Sequence, residues 1–83
     1  MISKEQVEQL RTLCKRDAIA VLTFSNGEVV RAKLIMIDDE YEDLLYDILE
    51  TNRPDRYAKP LESSAYVSPW TEIESFTEVT TAG

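Results

Sequence analysis

The chain has 83 residues, 43% of them hydrophobic, with two Gly and three Pro, which fits one folded domain and excludes both a disordered tail and a two-domain enzyme with an interdomain cleft. It has no histidine and a single cysteine, Cys14, so Ser-His and Cys-His nucleophile pairs, imidazole zinc sites, intrachain disulfides and CxxC chemistry are excluded. A formal charge of −7 opposes non-specific binding to phosphate backbones, and no apolar run approaches the roughly 20 residues that cross a bilayer.

The first element is a helix over 3–16. Ser3 with Gln6 three places on forms a capping box, and Ile2 and Val7 stand at the spacing of a hydrophobic staple. Val7, Leu10, Leu13 and Cys14 recur at three-to-four spacing as one apolar stripe, and Lys15 and Arg16 complement the dipole at the far end. On that stripe Cys14 reads as an inert small hydrophobe. A lone thiol suits a reducing compartment, and Met1 leads straight into a polar helix start instead of a signal peptide, so a soluble, cytoplasmic protein is expected.

The period then changes to that of strands. Two runs, 18–25 and 28–38, flank Asn26-Gly27, the strongest short hairpin signal, expected as a type I′ turn. In the second run Val30, Ala32, Leu34 and Met36 are expected on one face with Arg31 and Lys33 on the other. Val29, Ile35 and Ile37 make both faces apolar toward the ends, so this strand should be long and bent. An acidic stretch, Asp38 to Asp43, precedes a third run, 43–51, which reads best as a strand with helix as the rival. Residues 52–60 are dense in turn formers and read as a loop. Short strands over 65–68 and 73–79 follow, separated by a tight turn at Pro69-Trp70, where Trp70 is expected to plug one end of the fold. Charge is uneven along this order: residues 1–33 carry net +2 and residues 34–83 net −9. That distribution reads either as ordinary solvated faces or as head-to-tail complementarity between identical subunits.

A helix followed by five short antiparallel strands is the plan of a small β-barrel. The stretch 22–38, Leu-Thr-Phe-Ser-Asn-Gly-Glu-Val-Val-Arg-Ala-Lys-Leu-Ile-Met-Ile-Asp, resembles the first conserved segment of the Sm-like family: an apolar strand, a glycine turn, an alternating strand and an aspartate. The resemblance implies a mainly β fold, an N-terminal helix followed by a five-stranded antiparallel Sm-like or SH3-like small barrel. It also places Asp38 where the family has its loop aspartate and Tyr41 where a side chain stacks on an RNA base. Glu42, or Asp43 with one insertion, stands where the family reads the base with asparagine. Val-Ser-Pro-Trp at 67–70 replaces the family's Arg-Gly, and Ala32 replaces a glycine. Sm-like domains also commonly close into rings by pairing strand four of one subunit with strand five of the next.

The residues offer few alternatives to binding. The acidic loop, with Asp38, Asp39, Glu40, Glu42 and Asp43, lacks the spacing and glycine of an EF-hand and reads as a solvated turn, without a metal. Arg53, Arg56, Tyr57 and Lys59 gather cations and an aromatic ring in one loop, the best candidate for a phosphate or nucleic-acid contact. Ala65, Val67, Ile73 and Phe76 offer apolar contacts on strands four and five, the candidate oligomer interface. The expectation is a non-enzymatic assembly or binding module without cofactor, self-associating as a homo-oligomer. A protein partner is compatible with this reading, a membrane is not, and nucleic acid is not the default partner. The alternative is an RNA-binding regulator of the Sm-like type.

Overall fold

A computed structural model describes residues 2–53, 55 and 66–79. Helix α1 spans Lys4–Lys15, and the capping box is formed: the Gln6 N–H donates to Ser3 Oγ at 3.2 Å and the Ser3 N–H to Gln6 Oε1 at 2.8 Å. Ile2 and Val7 are both buried, as the staple requires. The helix ends in a Schellman arrangement, with the Asp17 N–H donating to the Cys14 carbonyl and the Ala18 N–H to that of Leu13. Asp17 occupies the left-handed position this motif needs, at φ 50°.

Five strands follow: β1 (Ile19–Phe24), β2 (Val29–Asp38), β3 (Asp43–Thr51), β4 (Tyr66–Pro69) and β5 (Ile73–Glu78), with a 3₁₀ turn at Trp70–Glu72 joining the last two. All pairings are antiparallel, in the order β4-β3-β2-β1-β5. The strand reading of 43–51 therefore holds over the helical one, because Leu44, Tyr46 and Ile48 are buried at period two while Leu45 is half-buried and Leu49 exposed. The core forms where the inner faces of the strands meet the apolar stripe of α1: Leu10, Leu22, Val30, Ala32, Leu34, Leu44 and Ile73 are fully buried.

The sheet is curled but not closed into a barrel; β4 and β5 are its edges and do not pair among the described residues. A flat five-stranded sheet would hold its outer strands about 19 Å apart. The path from Pro69 to Ile73 is four residue steps, at most about 14 Å of extended chain, so the sheet must curl to bring its edges within reach of the 3₁₀ turn. Both ends of that turn are tied: the Trp70 N–H donates to the Glu42 carbonyl beside β3 and the Ser25 N–H to the Glu72 carbonyl beside β1.

Three register shifts supply the curvature, leaving Ile35 of β2, Leu49 of β3 and Glu74 of β5 as extra residues in their ladders. The first corrects the expected face of β2. Leu34 pairs with Tyr46 and Met36 with Leu45, so Ile35 is skipped and the alternation changes phase. Met36 turns outward, 49% exposed, and Ile37 takes the core position. The hairpin also differs from the type I′ expectation. Only Gly27 has positive φ in this turn, at 91°, and the Gly27 N–H bonds the Phe24 carbonyl while the Phe24 N–H bonds that of Glu28. This is a three-residue loop, 25–27, with glycine in the left-handed place. Asn26 serves it through its side chain, whose Oδ1 accepts the Glu28 N–H at 2.9 Å.

Candidate functional site

The β2–β3 turn is built by its own acids. Asp38 Oδ1 accepts the Glu40 N–H at 3.0 Å and the Tyr41 N–H at 3.4 Å, an Asx turn. Asp39 is held from outside the loop: Arg11 of α1 donates to both of its oxygens, at 2.6 and 2.9 Å, while its Nε reaches Glu8 at 2.8 Å. The Arg11 hydrogen bond holds the Asp39 carboxyl below its ordinary range, and the guanidinium is raised above its own ordinary value, chiefly by Asp39 and then by Glu8. Glu42 closes the turn at φ 55°, which any side chain other than glycine or asparagine adopts at a cost. Tyr41 projects from the tip, 69% exposed.

A groove of about 320 Å³ runs between the start of α1 and this turn. Ile2, Val7 and Trp70 give it an apolar floor, and Lys4, Arg11, Asp39 and Glu42 stand around it. Trp70 is half-buried and packs against the core. The guanidinium in the groove is engaged by Asp39 and Glu8, so it carries little unspent positive charge for an anion. Among the described residues no three Cys, Asp or Glu groups are arranged to hold a metal ion. Cys14 lies under α1, its thiol pushed up to about 11 by burial, the opposite of what a nucleophile needs.

The candidate loop residues are not brought together. Asp38, Tyr41, Glu42 and Asp43 lie at the β2–β3 turn and Arg53 beyond the far end of β3, a strand length of nine residues away. Arg53 sits near Asp55 at 3.7 Å. Arg56, Tyr57, Lys59 and Ala65 lie outside the described residues. Of the candidate interface residues, Val67 is 56% exposed and Phe76 half-buried, whereas the Ile73 side chain is 0% exposed and belongs to the core.

The two sheet edges have a definite chemistry. The bond from the Trp70 N–H to the Glu42 carbonyl makes 42–70 a bonded ladder position. Antiparallel alternation then makes 44–68 and 46–66 bonded and 45–67 and 43–69 not. The N–H and C=O of Val67 therefore point away from β3, and Pro69, which has no N–H, stands where β3 requires none. On β5, the Val79 N–H donates to the Ile19 carbonyl, so by the same alternation the main-chain groups of Phe76 and Glu78 point away from β1. Sequence reading missed the pairing of Arg11 with Asp39, which meet across 28 positions with no local pattern to announce it. Compared with known protein families, with curated proteins and with solved structures, the chain matches none.

Proposed function

We propose that this chain is a non-enzymatic assembly and binding module of the Sm-like small-barrel type, whose copies join edge to edge, β4 of one with β5 of the next, into a closed ring. The observation that carries this reading is the pair of edges: Val67 on β4 and Phe76 and Glu78 on β5 direct main-chain donors and acceptors outward. Such edges are normally blunted or paired. The two edges lie at opposite ends of the strand order, so a β4-to-β5 contact is heterologous and makes a ring where its rotation closes. The Sm-like resemblance supplies the same pairing. The half-buried Phe76, packed against the core from the open edge, gives the contact an apolar component.

Light scattering tests the reading. The expected result is a multiple of the 9.5 kDa chain mass at micromolar concentration. Val67→Pro removes one outward donor without touching the ladder to β3, and should yield a monomer with unchanged far-UV circular dichroism. A monomeric parent chain sinks the proposal.

The exposure of Tyr41 favours a second reading, an RNA-binding regulator that stacks a base on this ring. Glu40 and Glu42 flank it, and phosphate contacts would be repelled there. Short RNA added in low salt should leave the scattering mass unchanged; an RNA-dependent increase abolished by Tyr41→Ala would favour the second reading.

A further inference from the structure

The skipped residue in β2 has a consequence on the outer face of the sheet. Residues directly opposite in an antiparallel ladder share a face. Met36 lies opposite Leu45, and Leu45 opposite Val67. The register shift therefore builds a continuous apolar row, Met36-Leu45-Val67, across β2, β3 and β4, with the bulged Ile35 beside it. Three of these side chains are strongly exposed: Ile35 at 36%, Met36 at 49% and Val67 at 56%. At its β2 end the row opens into a shallow groove of about 220 Å³ bordered by Ile35, Met36, Cys14 and Lys15. Scattered exposed apolar residues need no explanation, but a contiguous row does.

The two flanks of the row differ in charge. On one side Lys33 lies opposite Asp47, charges of opposite sign across the ladder. On the other, Asp38 lies opposite Asp43, two carboxylates directly across the ladder, and neither has an ion-pair partner among the described residues. Like charges so placed destabilise a sheet. A cation delivered from outside would relieve them, and Pro69, the next residue across from Asp43, has no long side chain to obstruct it.

We propose that this row is a docking strip for a cationic amphipathic helix of a partner protein. The row spans two interstrand spacings, about 10 Å, and positions i and i+7 of a helix are about 10.5 Å apart, so one helical stripe covers it from Met36 to Val67. Lysine or arginine on one flank of that helix faces Asp38 and Asp43. A second copy of this chain does not supply the occupant: α1, the sole α-helix among the described residues, already buries its apolar stripe in its own core. The strip is on the sheet face and leaves the main-chain edges of β4 and β5 free, so it is independent of ring formation.

The test uses a synthetic 15-residue helical peptide with leucine at i, i+4, i+7 and i+11 and lysine along one flank, titrated against the full chain by fluorescence anisotropy. A second peptide carries glutamate in place of lysine. The lysine peptide should bind, with the glutamate peptide at least about tenfold weaker. Met36→Ser with Val67→Asn keeps every charge and should weaken binding at least about tenfold. Asp43→Asn should weaken it several-fold and flatten its salt dependence. The circular dichroism of each variant should match the parent. Absence of binding at low salt overturns the proposal, as does equal binding by the glutamate peptide. It is also overturned if Met36→Ser with Val67→Asn binds as the parent does, which would show charge attraction alone, or if Met36→Ser by itself changes the oligomeric mass, which would make the strip a contact between copies.

Discussion

Asp17 and Glu42 hold left-handed backbone at φ 50° and 55°, where a Cβ crowds the following carbonyl. At Asp17 the need is clear, because the Schellman bonds from Asp17 and Ala18 exist only if this residue turns left. Asp17→Gly should therefore stabilise the protein by about 1 kcal/mol, read as a higher urea midpoint at unchanged slope. Gly27 is the converse. A Cβ there meets nothing within 4 Å, so Gly27→Ala is disfavoured by its φ of 91° alone and should destabilise by about 1 kcal/mol. A loss several times larger would mean that the hairpin loop is held by contacts and not by backbone conformation. The sequence already marked Asn26-Gly27 as a turn, but the number of loop residues depends on where Asn26 Oδ1 finds a donor, which is a property of the closed hairpin.

Among the elements, α1 is attached to the sheet by its apolar stripe and, among the described residues, by two ion pairs, Arg11 with Asp39 and Arg16 with Glu78. The first is bidentate and fixes the β2–β3 turn against the helix. Because Asp39 is held ionised below its ordinary range, the sign of its pH effect follows: the contribution is fully present above the unfolded carboxyl's pKa and is lost as pH falls through the lower, folded one. Asp39→Asn should therefore lower the melting temperature at pH 7. The gap to the parent should close in strong acid and narrow in 1 M salt, since both partners of the pair are solvent-accessible. A gap independent of pH would place the effect in the turn conformation and not in the ion pair. Neither Arg11 nor Asp39 stands out in the sequence, because charge runs on a helix and in a turn have the same composition whether solvated or paired.

For the whole molecule, one core joins one helix stripe to the concave side of one curled sheet, and Leu22 lies fully buried within it. Leu22→Ala should cost about 3 kcal/mol. A chain of this size has about 4 to 12 kcal/mol in total, so the variant should show a clear fall in denaturant midpoint and, at the lower end, partial unfolding at 25 °C. If the parent is a ring held by its β4 and β5 edges, the denaturant midpoints of parent and variant should both rise with protein concentration, since association stabilises the folded copy. Concentration-independent midpoints would instead describe an isolated monomer. The open edges, the acidic pair Asp38–Asp43 and the apolar row all belong to the surface left outside this core.

What the sequence determined by itself was local: the capped helix, the hairpin signal at Asn26-Gly27, the strand character of the apolar runs and the turn before β5. These rest on short-range rules, in which a residue's neighbours three, four or two places away decide its state. It also bounded the chemistry through the missing histidine and the lone cysteine. Tertiary structure decided what depends on register. The shift at Ile35 exchanged Met36 for Ile37 in the core, and the pairing of β2, β3 and β4 aligned Met36, Leu45 and Val67 in one exposed row. The same long-range pairing buried Ile73 while leaving Val67 in solvent, and it set Arg11 against Asp39. A bulge reverses every inward and outward assignment beyond it, and its position is chosen by how the whole sheet must curl, which no window of neighbouring residues contains.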